Sequence, residues 1–234
     1  MDESAADDFW RRFLGVPAAR WGAPGVHVVP HVGLSDYSGV WFFVRGAQCI
    51  LSAPSHWHTR LEALVTRADL SHGLPEAAAV REIFGSDAIT LVGPVWHGSL
   101  TDRFRMPTGP WRHVDAGDPA VDGLRGACSA TEWDHAGLES AGHPWFAATA
   151  SGRITAIAAL RERDARTMDV CVVGHPQARG QGFARVAVGA AIAHRAPARH
   201  VLYQTLEANR PSVRLAEGLG FEHYARHLAV RLRP

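Results

Sequence analysis

Residues 168–184 read MDVCVVGHPQARGQGFA, and this stretch decides the fold of the chain. Its first six residues are apolar or β-branched with one polar interruption, which predicts a buried strand. Gly180 and Gly182 follow the strand and allow a tight turn that directs backbone N–H groups toward one point. A helix predicted over residues 183–194 adds the positive end of its dipole there. Such an arrangement favours an anion, most naturally a diphosphate.

Two other phosphate-binding motifs do not fit this loop. The dinucleotide fingerprint needs a third glycine, and Arg185 stands at that position. The phosphate loop of nucleotide triphosphatases needs a lysine, whereas all 24 residues counted as Lys or Arg are arginine. What fits is the pattern Q-x-x-G-x-G directly after a strand and a proline, spelled QARGQG at residues 177–182.

This pattern resembles the coenzyme A pyrophosphate loop of the GNAT superfamily of N-acetyltransferases. Downstream, NRPSVRLAEGLGF at residues 209–221 is similar to the N-x-x-[AS]-x-x-x-x-x-x-L-G-F helix and strand of the same superfamily. Two motifs in the right order, about 30 residues apart, are much more specific than either motif alone. The resemblance covers residues 111–234, roughly half of the chain.

The resemblance implies an α/β (α+β) fold in which a GNAT-like mixed central sheet is flanked by helices. The patterns from Trp111 to Pro234 predict the order β-α-α-β-β-β-α-β-α-β, which matches that fold. We therefore expect a GNAT-like catalytic domain over residues 111–234, preceded by a smaller α/β domain over residues 1–108 whose role is open. The segment 98–110, rich in glycine, proline and charge, is the predicted boundary. One interpretation makes the N-terminal domain a degenerate second copy of the GNAT fold, although no second loop motif supports it.

Local patterns predict the remaining elements. In the first half, predicted helices cover residues 2–14, 55–68 and 75–84, and predicted strands cover residues 26–32, 40–44, 48–52 and 88–92. In the second half, a short helix is predicted over residues 131–138 and a final strand over residues 224–232.

The resemblance implies acetyl-CoA as a cosubstrate held mainly by backbone groups. Its diphosphate is expected on the amides of residues 179–184, at the helix N-terminus. Its pantetheine arm is expected to pair like an extra strand with residues 171–173, where the neighbouring strand turns away. The expected coenzyme-binding residues are Cys171, Val172, Val173, Arg179, Gly180, Gln181, Gly182, Phe183, Ala184, Asn209 and Ser212.

The implied reaction is direct attack of a primary amine on the thioester, which needs a base and benefits from an acid. Asp169 is the leading candidate for the base, narrowly ahead of Glu132 at the expected acceptor entrance. Relatives carry a glutamate where this chain has Thr167 and a tyrosine where it has Ala216. Ser212 lies one turn before Ala216 and is the candidate that reaches the sulfur, with helix capping as the alternative role. The two departures keep open a second function, a catalytically inactive CoA-binding sensor or interaction protein.

The amino-acid composition limits the kinds of binding partner to expect. A net charge of +1 with 20% charged residues gives no basic field for nucleic acid, and no apolar run reaches membrane-spanning length. We expect acetyl-CoA and an amine on a small molecule, peptide or protein as partners, with no nucleic acid and no membrane, for a monomer or homodimer. Three cysteines without close pairing and an acidic N-terminus unlike a signal peptide predict a cytoplasmic protein.

No metal is expected. His56 and His58 would lie on one side of an extended segment, but no third ligand follows at a suitable spacing, and the chain has no C-x-x-C motif.

Overall fold

The computed structural model describes residues 3–67, 73–196 and 198–233. The chain divides into two compact units, and each is built from several segments. The N-terminal unit comprises Ala6–His97, Thr205–Asn209 and His223–Pro234, and the C-terminal unit comprises Met1–Ala5, Gly98–Gln204 and Arg210–Glu222. These units differ from the predicted continuous domains because most of the last strand pairs within the N-terminal sheet. The division at residues 108–111 stays a prediction.

Within the described residues, the N-terminal unit is a sheet with helices. Its elements are α1 (Glu3–Phe13), β1 (Gly25–Pro30), β2 (Gly39–Arg45), β3 (Gln48–Ala53), α2 (His58–Arg67), α3 (Ala77–Phe84), β4 (Ala88–Leu100) and most of the last strand, β10 (Phe221–Leu232). The strand order is β1-β3-β2-β10-β4. β1 pairs with β3 in parallel, whereas β2 pairs antiparallel with β3 and β10. The predicted helix limits at residues 2 and 68 lie outside the described residues.

The core of the N-terminal unit forms where α2 and α3 pack on one face of this sheet. Leu61 of α2 and Val80 and Phe84 of α3 are completely or almost completely buried against Phe42 and Leu51 of the strands. Burying one such side chain contributes about 1.5–3 kcal/mol. The amphipathic spacing of the two helices therefore fixes which face of each helix meets the sheet.

The prediction that a strand ends at residue 92 is wrong, because β4 continues through Gly93 and Pro94 to Leu100. Pro94 has no N–H to donate, but its carbonyl accepts a hydrogen bond from the backbone N–H of Glu207. Gly93 has a φ of +124°, and a Cβ atom there would stand 2.8 Å from the carbonyl oxygen of His227. The Gly-Pro pair therefore permits close backbone approach within a strand and does not end it.

The C-terminal unit follows the predicted order of elements. They are β5 (Trp111–Val114), α4 (Pro119–Ala127), α5 (Ala130–Ala136), α6 (Leu138–Ala141), β6 (Trp145–Ala150), β7 (Arg153–Glu162), β8 (Thr167–Gly174), α7 (Phe183–Arg195), β9 (His200–Leu206) and α8 (Arg210–Gly218). The strand order is β9-β8-β7-β6-β5, and β8 and β9 are parallel while the other neighbours are antiparallel. The predicted mixed sheet flanked by helices is confirmed.

Side chains and one glycine set the limits of the helices after β5. The Asp118 carboxylate accepts a hydrogen bond from the Ala120 N–H at the start of α4, and Ser129 and Glu132 form a capping box at the start of α5. Gly137 then ends α5 in the left-handed conformation, with φ +69°. The single helix predicted over residues 131–138 is therefore two helices, α5 and α6.

The core of the C-terminal unit lies between these helices and the sheet. Val121, Leu124 and Leu138 from the helices pack with Trp145 and Val173 from the strands, and all five are buried. On β8, Cys171 belongs to the same cluster as Val173, because strand side chains two residues apart share a face. Asp169 lies on that face as well.

Candidate functional site

The loop after β8 has the geometry that its glycines predicted. A short 3-10 turn over Pro176–Ala178 follows the strand, and the imidazole Nδ1 of His175 accepts a hydrogen bond from the Gln177 N–H. Gly180 and Gly182 have φ values of +78° and +86°, which side chains other than glycine rarely adopt. Gly182 immediately precedes α7 and has no side chain to cap it, so the first amides of the helix can serve a ligand.

A fork between β8 and β9 leads into this loop. β8 pairs with β7 from Met168 to Gly174, but its parallel register with β9 covers only the three residues from Thr167 to Asp169. After Asp169, the residues of β8 have no register partners in β9, so the edge of β8 on that side is open. An amide-bearing chain can pair with such a strand edge.

Asp169 lies where the fork begins and is 3% exposed. Its Oδ2 accepts two hydrogen bonds, from Arg161 Nη2 at 2.6 Å and from Gln204 Nε2 at 2.8 Å. Its Oδ1 is buried without a hydrogen-bond partner in the described part of the chain. Burial raises the pKa of Asp169, and the neighbouring Arg161, Arg163 and Gln204 oppose that rise.

Ser212 lies in the first turn of α8 and contacts a buried tyrosine. Its Oγ is 2.9 Å from the hydroxyl oxygen of Tyr203, and either atom can donate the hydrogen bond. Burial raises the pKa of Tyr203 to about 12, so this phenol is neutral at ordinary pH. Ala216, at the position where the motif predicts a tyrosine, is completely buried.

The family model named "Acetyltransferase (GNAT) family" matches residues 111–221. Residues 111–221 therefore form a GNAT-family domain. A comparison with curated proteins finds no match.

Solved structures with a similar fold share little sequence with this chain. A GNAT-family protein from Novosphingobium aromaticivorans is 20% identical, with a TM-score of 0.47 over 63% of this chain and 67% of its own. A GNAT-family acetyltransferase from Colwellia psychrerythraea is 13% identical, with a TM-score of 0.46 over 80% of this chain and 77% of its own. A Salmonella typhimurium protein solved with its cofactor acetyl-CoA is 17% identical, with a TM-score of 0.38 over 55% of this chain and 96% of its own.

Within the GNAT domain, Glu132 lies beside the glycine loop. Its Oε1 accepts a hydrogen bond from Arg179 Nη2 at 2.5 Å, and its Oε2 accepts one from the Ser129 N–H at 3.1 Å. The Ser129 N–H and then the Arg179 guanidinium hold the pKa of Glu132 below its ordinary value. Glu132 therefore caps α5 and holds Arg179, and these contacts are unlike those of a base tuned toward neutral pH.

Arg185 and the predicted coenzyme-binding residue Asn209 have contacts on other elements. Arg185 lies against α8, with its Cζ 3.9 Å from a Cβ atom built at Gly218. Asn209 precedes α8 and belongs to the N-terminal unit, where its N–H donates to the Leu206 carbonyl. The structure thus brings together the loop, the β8 edge, Asp169 and Glu132 with Arg179 inside one unit.

Asp169 and Ser212 lie toward opposite faces of the sheet at the fork. Asp169 is the register partner of Leu202, and Gln204 shares their face and bonds Asp169. Tyr203 lies between Leu202 and Gln204 in sequence, so it points to the other face, where it meets Ser212. A buried carboxylate and a hydroxyl pair therefore lie on the two faces of the sheet at the fork.

Sequence reasoning missed Tyr203, Arg161 and Gln204. A signal existed for Arg161, because antiparallel pairing of β7 with β8 places an arginine near Asp169, but the register depends on the length of the turn. The partners of Tyr203 and Gln204 depend on contacts between elements, for which the local sequence carries no signal. Ser129 and Glu132 do match the capping-box pattern S-x-x-E and were readable as such.

Two kinds of feature are absent from the described residues. No group of three or more His, Cys, Asp or Glu side chains there is arranged to hold a metal ion. No helix there is long and apolar enough to cross a membrane.

Proposed function

We propose that the GNAT domain is an acetyl-CoA-dependent N-acetyltransferase that acts on a primary amine of a small molecule, peptide or protein. The observation that carries the proposal is the fork between β8 and β9, which opens at Asp169 and ends at the glycine loop before α7. An open strand edge, two left-handed glycines and a helix N-terminus suit one ligand that carries both amides and a diphosphate.

The loop residues fit that ligand. Cβ atoms built at Gly180 and Gly182 would meet nothing within 4 Å, so backbone can approach a diphosphate closely from this side. The amides of residues 179–184 would hold the diphosphate, and the backbone of residues 171–173 would pair with the pantetheine arm. Arg179 adds a guanidinium at the loop. When bound, acetyl-CoA supplies the thioester that the amine attacks.

The roles of the side chains follow from their contacts. Asp169 takes the proton of the acceptor amine on Oδ1, since its Oδ2 is engaged by Arg161 and Gln204, and a water relays the proton because Oδ1 is buried. Ser212 Oγ, backed by the Tyr203 hydroxyl, provides a proton or holds a water on the other face. Glu132 positions Arg179.

The test is calorimetric titration of acetyl-CoA, followed by thiol release against a panel of amines and N-terminal peptides. Gly182→Ala should weaken acetyl-CoA binding, because the φ of +86° opposes a Cβ atom and the added methyl group would occupy open space through which the diphosphate approaches. Gly152→Ala is the matched control, with φ +75°, open surroundings and a place in the β6–β7 hairpin. Unchanged affinity in Gly182→Ala would remove the loop from the coenzyme site.

A second function, a coenzyme A sensor without turnover, is favoured by two residues. Thr167 replaces the expected glutamate and Ala216 replaces the expected tyrosine, and both are completely buried. Tight acetyl-CoA binding without thiol release across the whole amine panel would support the sensor over the enzyme.

A further inference from the structure

The two hydrogen bonds of Asp169 converge on one oxygen. Arg161 Nη2 and Gln204 Nε2 both donate to Oδ2, from the neighbouring strands on either side of β8. Oδ1 receives no hydrogen bond in the described structure, although the side chain is almost fully buried. A buried carboxylate oxygen without a donor is costly, so its position needs an explanation.

Other buried polar atoms without a hydrogen-bond partner lie on the same part of the sheet. Arg161 Nε and Thr167 Oγ1 have none among the described residues. Thr167 is two residues before Asp169 on β8 and shares its face, and Arg161 is the register partner of Asp169 on β7. The cluster thus combines a donor, a hydroxyl and an acceptor at the start of the fork, which suits a small polar group that both gives and accepts hydrogen bonds.

We propose that Arg161 and Gln204 are positioning residues for the acetyl transfer proposed above: they fix Oδ2 of Asp169 so that the buried Oδ1 faces a water that passes it the proton of the acceptor amine. A carboxylate accepts through either oxygen and rotates about its Cβ–Cγ bond. Donors on both flanking strands, directed at one oxygen, hold one orientation. Asp169 is the catalytic residue, and the two donors act through it.

The charges that face Asp169 determine what removal of Arg161 does. The titratable neighbours are Arg161 on β7, Arg163 just after it, Cys171 on β8 and Tyr203 on β9. Burial raises the pKa of Cys171 and of Tyr203 to about 12, so both are neutral at pH 7. The two guanidinium groups are therefore the cations that oppose the rise in the pKa of Asp169 that burial causes, and Arg161 donates a hydrogen bond to the carboxylate.

The test compares Arg161→Gln, Arg161→Lys and Gln204→Leu with the wild-type chain. The control is Arg153→Gln, which removes an exposed arginine at the other end of β7. In Arg161→Gln, kcat/KM should fall by up to about a hundredfold through misplacement of the base. The acidic limb of its pH profile should move to higher pH, because a cation that favours the ionised carboxylate is lost. Acetyl-CoA affinity should not change.

The other two variants should change the rate and the pH profile less than Arg161→Gln does. Arg161→Lys should restore part of the rate and bring the limb back toward wild type, since it keeps the charge without the planar fork of the guanidinium. Gln204→Leu should lower kcat/KM with a smaller movement of the limb, because a neutral donor is lost. A merely structural role would lower the melting temperature and the amount of active enzyme but leave the acidic limb where it is.

A second readout does not depend on turnover. Carboxyl NMR of aspartate-labelled protein, assigned with Asp169→Asn, follows the titration of Asp169 directly. An unmoved Asp169 titration in Arg161→Gln, or an unmoved acidic limb in both Arg161→Gln and Gln204→Leu, would overturn the proposal. If the wild type binds acetyl-CoA but acetylates no amine, the proposed function fails while this titration still decides whether Arg161 holds Asp169. If Arg161→Gln does not fold, Arg161→Lys and Gln204→Leu carry the same test.

Discussion

Each unit contains a parallel strand pair, and the two pairs end differently. In the N-terminal unit, β1 and β3 stay in register over six residues, from Gly25 with Gln48 to Pro30 with Ala53. In the C-terminal unit, β8 and β9 are in register over three residues, and β8 then continues to Gly174 without β9. A parallel pair therefore does not by itself leave a strand edge open. In the C-terminal unit the early end of the pairing does, and this is the edge that we propose for the pantetheine arm.

The β1–β3 pair is relevant to the interpretation of the first half as a degenerate GNAT copy. The β1–β3 pair is closed along its length, and β3 leads into Pro54 and a 3-10 turn over Ser55–Trp57 without a glycine loop. Whatever its origin, this pair offers neither an open edge nor an anion loop between its strands. We expect one molecule of acetyl-CoA per chain, bound in the C-terminal unit.

The largest effect on activity is expected from a substitution of Asp169, the residue after which β9 leaves β8. Asp169→Asn keeps the shape of the side chain but cannot accept the amine proton, so kcat/KM should fall by about 10²- to 10⁴-fold. Acetyl-CoA affinity, measured by calorimetry, should stay the same. Asp122→Asn, which changes an exposed carboxylate on α4, is the control. A parallel loss of rate and coenzyme affinity would instead mean that Asp169 only supports the fold of the fork.

Hydrogen exchange compares the two pairs directly. With acetyl-CoA at about 100 times its Kd, opening of the bound site costs about 2.7 kcal/mol more, so exchange should slow by up to about a hundredfold. We expect this slowing in residues 170–174, beside the open edge, and in the loop before α7. Residues 48–53 of the closed pair should exchange slowly with or without the ligand. Equal protection of both segments by acetyl-CoA would remove the distinction between the pairs.

The fork was only partly readable from the sequence. The positive φ of Gly182 followed from local chemistry, because the tight turn before a helix needs glycine. That β9 leaves β8 after Asp169 was implied by the resemblance, and its position depends on how distant elements pack. The partners Arg161 and Tyr203 required strand register and tertiary contact. Glu132 shows the reverse case: its capping box was visible in the sequence, but the residue was predicted as a base from its expected place near the acceptor, and that role stays a prediction.

The N-terminal unit contains a buried pair of histidines, and the contribution of this pair to stability depends on pH. In the N-terminal unit, His97 Nε2 and His227 Nδ1 are 2.6 Å apart, and the Trp41 ring stacks on His227 at 4.1 Å. Burial lowers the pKa of His227 from 6.5 to about 3. The unfolded chain therefore binds a proton between these values that the folded chain does not. The contribution of His227 to the free energy of unfolding is complete above pH 6.5. It is lost as the pH falls toward 3, by about 1.4 kcal/mol per pH unit.

Denaturant unfolding of wild type and His227→Gln between pH 7.5 and pH 5 measures this loss, with the range chosen to span the ordinary histidine pKa of about 6.5. The free energy of unfolding should fall with decreasing pH below 6.5 more steeply in the wild type than in the variant. Identical slopes would contradict a neutral buried His227. Asp169 should contribute a slope of the opposite sign, because burial raises the pKa of its carboxyl and the folded chain then holds that proton more tightly than the unfolded chain.

The smallest effect is expected at the hydroxyl pair on the other face of the fork. Ser212→Ala should slow acetyl transfer by roughly tenfold or less, because a water can replace the hydroxyl near the sulfur, and it should barely change acetyl-CoA affinity. Tyr203→Phe keeps Ser212 but removes its 2.9 Å partner, so its effect should be smaller still if Ser212 is the group that acts. Thiol-release kinetics of the two single variants and the double variant distinguish the roles. If the double variant is no slower than Ser212→Ala, Tyr203 acts only through Ser212. If Ser212→Ala has the wild-type rate, the hydroxyl pair takes no part in the reaction, and Ser212 is left with the alternative role of capping α8.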